Sequence, residues 1–124
     1  MAGTIGWIDL TVPDAERVRD FYQSVAGWTS SPVQMSGYED YCMVPPGQEQ
    51  PAAGICHARG DNAGQPPLWM IYITVDDLDA ALRQCEALGG KRRVEVRNVG
   101  DSGRFCVIED PAGAVCGLYE PKRT

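Results

Sequence analysis

The sequence predicts an α+β fold made of two βαβββ modules, and three observations lead there. The chain matches itself at an offset of 63 residues, with Ile8/Ile71, Thr11/Thr74, Val12/Val75, Asp14/Asp77, Gly27/Gly90, Gly37/Gly100, Val44/Val107 and Gly54/Gly117 identical. The apolar periodicity repeats along with the identities, which points to two copies of one supersecondary unit rather than to scattered coincidence. The same start and stop signals flank the helical stretch in both copies.

Each copy opens with a strand. Ile8, Leu10 and Val12 alternate with Trp7, Asp9 and Thr11, and Ile71, Ile73 and Val75 alternate with Met70, Tyr72 and Thr74, so one face is aliphatic and the other mixed. A helix follows, begun by Asp14 or Asp77, whose carboxylate suits the free amides of a first turn. The expected apolar stripe is Ala15, Val18, Tyr22 and Val25 in the first copy and Leu78, Ala81, Cys85 and Leu88 in the second, packed on the aliphatic strand face. Gly27 and Gly90 are expected to end these helices in the left-handed conformation.

Short extended stretches broken by turns come next: Thr29 to Gln34, Tyr41 to Val44 and Ala53 to Ala58, then Lys91 to Val96, Arg104 to Ile108 and Val115 to Tyr119. The modules therefore run over about residues 5–58 and 68–121 of a single domain of 124 residues, with the linker 59–67 between them. Its glycines and prolines argue against a regular element. A chain this short is near the lower end of comfortable self-sufficiency, so a homodimer is expected.

Composition limits the partners. The formal charge of −6 and the short basic cluster Lys91, Arg92, Arg93 and Arg97 argue against nucleic acid, because phosphate binding needs a basic face. No stretch is long and apolar enough to cross a membrane, and the N-terminus has no signal-peptide pattern, so a cytoplasmic location is expected. The five cysteines show no CxxC pairing and read as small buried apolar residues. Cys56 beside His57 invites a nucleophile–base reading, but adjacent strand residues point to opposite faces. His57, the single histidine, reads as an ordinary strand-surface residue.

The doubled unit, with the stretches FYxxVxGW (Phe21 to Trp28), VDDLDAA (Val75 to Ala81) and EDPAGA (Glu109 to Ala114), resembles the glyoxalase/bleomycin-resistance/extradiol-dioxygenase superfamily, also called vicinal oxygen chelate, from about Ile5 to Pro121. The resemblance implies mixed curved sheets enclosing a cavity. In the catalytic members it also implies a divalent metal held by His, Gln or Glu from the first and last strand of each half. Carried onto this sequence, those positions are Trp7, Gly54, Met70 and Gly117. None is a suitable ligand: indole does not coordinate, glycine has no side chain, and a thioether is too soft for the ions concerned. No metal and no cofactor are therefore expected.

The cavity itself is expected to persist, lined by Trp7, Asp9, Cys56, Met70, Tyr72 and Tyr119. Aromatic walls and one carboxylate suit a cationic or aromatic small molecule, so the leading expectation is a metal-free binding module that sequesters such a compound. Three alternatives stand beside it. In the first, the side chains fill the space as packing, with Asp9 neutralised by an arginine such as Arg104. In the second, the chain is a glyoxalase-like lyase or isomerase, or a dioxygenase-related enzyme, whose site is non-standard, completed by a dimer, or built on Asp9 and Tyr72; no second carboxylate is evident on the face of Asp9. A purely structural partner protein is the third.

Overall fold

The doubled pattern is realised element by element in the computed structural model, which describes residues 2–122. The first half forms β1 (Ile5–Val12), α1 (Ala15–Ala26), β2 (Thr29–Gln34), β3 (Glu39–Val44) and β4 (Ala53–His57). The second forms β5 (Trp69–Thr74), α2 (Leu78–Ala87), β6 (Lys91–Arg92), β7 (Arg97–Asn98), β8 (Gly103–Glu109) and β9 (Val115–Pro121). Between them the linker holds one short 3-10 turn at Gly60–Asn62, where no regular element was expected.

The chain divides into two compact units. One is Ile8–Trp69; the other joins the residues up to Trp7 to those from Met70 onward. In the second unit the Gly3 amide donates to the Thr74 carbonyl at 2.7 Å and the Thr74 amide to that of Thr4 at 2.8 Å, so the start of the chain is tied to β5. In the N-terminal unit the strands run in the order β2-β3-β4-β1, with β1 and β4 parallel and the other neighbours antiparallel. The C-terminal unit runs β5-β9-β8-β6, with β7 also paired to β8.

The strand registers repeat as well. Asp9 faces Gly54 across the first parallel pair and Tyr72 faces Gly117 across the second, which are equivalent positions in the two copies. The antiparallel partner slides: Gly54 faces Cys42, whereas Gly117 faces Val107, two residues further along than the repeat alone dictates. A slip of two residues keeps every side chain on its face, so the core survives it.

Both helices start on the expected aspartate, with Asp14 accepting from the Arg17 amide at 3.2 Å and Asp77 from the Ala80 amide at 3.1 Å. α1 ends at Gly27, left-handed at φ 72°. In the second copy the expected stop is displaced by one residue. Gly89 takes the positive φ, at 98°, while Gly90 is needed for another reason: a Cβ there would stand 2.7 Å from Cys85 Sγ and 2.8 Å from the Glu109 carbonyl oxygen.

Two stripe residues also move. Ala15 is buried and Val18 and Tyr22 pack on the cluster of Leu10, Val12, Tyr41, Met43 and Ile55, but Val25 is 66% exposed. In α2 the residue that completes the stripe is Leu82, fully buried with Leu78 against Cys106, Ile108 and Leu118, while Leu88 is 73% exposed. Leu88 is the C-cap, outside the helix, so the pattern that packs is 78, 81, 82 and 85. The single strand expected over Lys91 to Val96 is instead two short pieces. Between them the Val94 carbonyl accepts from Cys106 Sγ at 3.3 Å and Val96 packs into the core, which takes this stretch off the ladder.

Candidate functional site

Each sheet has one face under its helix and one turned away from it, and the residues of functional interest lie on the second. In the N-terminal unit, Asp9 and Cys42 flank Gly54, while Thr11 lies beside Cys56. One step along the antiparallel ladder, Asp40 comes beside Cys56 on its other side. Residues opposed across a ladder share a face, so Asp9 and Asp40 are two carboxylates on one sheet face. This corrects the expectation that Asp9 has no such companion. Asp40 was not legible because Glu39-Asp40 follows a glycine turn and reads as loop polarity; only the β3–β4 register brings it here.

Asp40 ties the two faces together. It is 5% exposed, accepts from the His57 amide at 2.8 Å, and its Oδ1 lies 3.3 Å from His57 Nδ1. The same carboxylate lies close enough to the Cys56 thiol to disfavour its ionisation. His57 is thus not an ordinary strand-surface residue: its side chain is 13% exposed and edges against Tyr38 and Tyr41, at ring-centroid distances of 5.5 and 6.0 Å. Burial pushes the Cys56 thiol well up, and the charges of Asp9 and Asp40 push it further. A thiol so placed stays protonated and is a poor nucleophile, which closes the nucleophile–base reading on electrostatic grounds.

The C-terminal unit presents a different face. Tyr72 lies beside Gly117 and Thr74 beside Tyr119, with Phe105 on the far side of Tyr119. The Tyr72 ring meets Phe105 edge-on at 5.8 Å and covers Gly117, so a Cβ at position 117 would run into Tyr72 Cδ1 and Cε1. Tyr119 donates its hydroxyl to the Ser102 carbonyl at 2.7 Å. Met70 is 2% exposed and Trp7 partly buried. Of the six residues expected to line a ligand site, Trp7, Met70, Tyr72 and Tyr119 therefore belong to this unit and Asp9 and Cys56 to the other. Phe105 completes the aromatic group, and its alternation with Cys106 in GRFCVIE was the available signal.

Arg104, suggested as a partner for Asp9, has other partners. Its Nε donates to Glu120 Oε2 at 3.0 Å and its Nη2 to Asp79 Oδ2 at 3.0 Å, while Glu120 Oε1 accepts from the Leu78 amide at 2.8 Å. The group clamps β8, β9 and the first turn of α2. Beside it is an open concavity of about 310 Å³ between Asn98, Asp101, Arg104, Glu120 and Lys122, which none of the six expected residues lines.

The positions that the resemblance assigns to a metal do not fit one. Gly117 is covered by a tyrosine ring, Met70 offers a buried thioether, Trp7 has no donor lone pair, and Gly54 has no side chain. Among the described residues no three His, Cys, Asp or Glu side chains converge as a metal-holding group.

Two βαβββ units, each with a helix on one sheet face and a parallel first–last strand pair, define a glyoxalase-type α+β protein. The chain belongs to the Glyoxalase/Bleomycin resistance protein/Dioxygenase superfamily, whose sequence model matches residues 4–116. It is 37% identical over 123 residues to a Mycobacterium tuberculosis protein provisionally named glyoxylase CFP32, covering 98% of this chain and 47% of that protein. It is 30% identical over 128 residues to the anthracycline biosynthesis protein DnrV of Streptomyces peucetius, covering 94% and 46%. The chain thus spans about half the length of the curated relatives it matches. Among solved structures, methylmalonyl-CoA epimerase from Mycobacterium tuberculosis superposes with a TM-score of 0.58 at 20% identity, covering 94% of this chain and 86% of that one. A Bacillus halodurans protein, BH1468, reaches 0.65 at 12% identity, covering 100% and 98%. These likenesses establish the fold.

Proposed function

We propose that this chain is a metal-free small-molecule binding module of the glyoxalase/bleomycin-resistance type that takes a cationic or aromatic compound. The observation that carries the reading is the Tyr72 ring over Gly117: where the resemblance implies a coordinating side chain, the sheet presents an aromatic surface extended by Phe105. Stacking and cation–π attraction are the interactions such a surface offers. The proposed ligand-contacting residues are Trp7, Met70, Tyr72 and Tyr119 in the C-terminal unit and Asp9 and Cys56 in the N-terminal unit, each group a candidate by itself. Likeness to DnrV makes an anthracycline, a planar aromatic amine, the first probe. The module is taken to act as a homodimer in the cytoplasm. Among the described residues no helix is long and apolar enough to cross a membrane.

Titrating the protein with daunorubicin while following tryptophan emission tests this. Saturable quenching is expected, weakened about ten- to a hundredfold in Kd by Asp9→Asn if the N-terminal face takes the amine, and comparably by Tyr72→Leu if the aromatic face takes the ring. Trp28 and Trp69 pack together in the N-terminal core, so the titration is repeated with both changed to Phe. Non-saturable quenching that neither variant alters sinks the proposal.

A second reading has its own support. Asp9 and Asp40 on one face, with Asp40 engaging His57, form a group from which acid–base chemistry can be built. The name of the mycobacterial relative makes hemithioacetal isomerisation the assay of choice. Turnover that survives chelator and is lost in Asp40→Asn favours this reading over binding alone.

A further inference from the structure

The N-terminal unit carries a set of side chains that the ligand reading leaves unused, grouped where β4 runs out into the linker. We propose that His57 and Arg59 form a binding site for the oxyanion of a small organic acid or phosphate compound, with Asp40 positioning the imidazole.

Geometry orients both groups. Asp40 is a buried carboxylate, an acceptor only, and it faces His57 Nδ1 at 3.3 Å while also holding the His57 amide at 2.8 Å. The proton therefore sits on Nδ1, and Nε2 is the ring nitrogen that Asp40 does not engage. Tyr38 stands nearly perpendicular to that ring, at 81°, and Tyr41 tilts against it at 55°.

The same Tyr38 ring holds the cation. Arg59, exposed in the linker, lies with its Cζ 4.3 Å from the Tyr38 centroid. A guanidinium held over a ring face by cation–π attraction forms no hydrogen bond there, so its N–H groups remain to grip a carboxylate or phosphate in a fork. Tyr38 thus gathers a pre-oriented guanidinium and an oriented imidazole around one ring. Arg19 likewise lies with its Cζ 4.6 Å from the Tyr41 centroid, but that arginine is tied to Asp20 at 2.9 Å. Arg59 is the cation placed for an incoming anion. The chain's net charge of −6 works against diffuse anion binding, so any affinity must be local to this group.

An oxyanion at Nε2 is held best when that nitrogen carries a proton, so binding takes up a proton and affinity rises as pH falls. The groups facing His57 are Asp40 and Tyr41 from β3, Tyr38 from the turn before it, Cys56 beside it on β4, Arg59 from the linker, and Arg19 of α1 behind Tyr41.

The single histidine makes the test clean. The imidazole nitrogens are followed by NMR while intact protein is titrated with benzoate and, separately, with inorganic phosphate. A saturable shift with either anion is expected, weakened about tenfold in Arg59→Gln and, for benzoate, tightening as pH is lowered. A response to benzoate alone assigns the site to carboxylates, and a response to phosphate assigns it to phosphate compounds. Asp40→Asn should weaken binding and move the imidazole nitrogen shifts away from the Nδ1-protonated pattern. By calorimetry with benzoate, whose charge is constant near neutral pH, His57→Gln should abolish the pH dependence. Arg59 is exposed, so Arg59→Gln leaves the fold alone and decides the matter by itself. Unchanged affinity in that variant, or no saturable shift with either anion, overturns the proposal.

Discussion

The ring of Tyr72 occupies the space that a side chain at Gly117 would need. The two face each other across the parallel pair of β5 and β9, so the smallest residue of β9 seats one of the largest residues of β5. Position 117 is therefore glycine because of its neighbour across the ladder and not because of its own backbone, which has no positive φ.

Gly117→Ala should accordingly force the Tyr72 ring out of its seat and destabilise the fold by about 1–3 kcal/mol, the usual range for overpacking. Tyr72→Ala alone should cost something as well, but the double variant should cost less than the sum. A double-mutant cycle by urea unfolding measures this, and strict additivity would show that the ring does not depend on the glycine.

Leu82 and Leu88 belong to the same segment and should behave in opposite ways. Leu82→Ala empties a fully buried site between α2 and its sheet and should cost about 2–5 kcal/mol, whereas Leu88→Ala, at a residue 73% exposed, should stay within about 0.5 kcal/mol. Thermal or urea unfolding of the pair of variants checks the contrast.

The five thiols should be slow to react in the native state. Burial raises Cys42, Cys56, Cys85, Cys106 and Cys116 alike, so little thiolate is present near neutral pH. Ellman's reagent should find all five only after denaturant is added. Asp40→Asn should speed the reaction of Cys56, read by mass mapping, because it removes a negative charge that opposes the thiolate.

Acid should loosen the C-terminal unit at Glu109. Hydrogen bonds from Arg93, at 2.7 Å, and from Lys91 hold this carboxyl below its ordinary range. A carboxyl whose folded value is depressed contributes stability that is present above its unfolded value and is lost as pH falls through the folded one. Arg93→Gln should therefore lower the neutral plateau of a stability–pH curve slightly and flatten its acid limb by the same small amount, since the pair is near the surface. An unchanged acid limb would assign that limb to other carboxylates.

What was legible in the sequence was whatever depends on neighbours along the chain. The 63-residue repeat, the strand alternation, and the caps at Asp14 and Asp77 are local or periodic signals, and each appears in the structure. The absence of coordinating side chains at Trp7, Gly54, Met70 and Gly117 was legible too, since it is a matter of residue identity.

What only the tertiary structure decided depends on the register between strands distant in sequence. Pairing of β3 with β4 puts Asp40 beside Cys56 and His57, 17 residues away from the histidine, and turns a loop-like acid and a surface-like histidine into one buried pair. Close approach likewise requires a glycine at position 90 while Gly89 takes the left-handed turn, and helix length puts Leu82 in the core and Leu88 in solvent. Periodicity says which residues share a face of their own element. It does not say which side chain of another element that face will meet, because that contact is chosen by the packing of the whole unit.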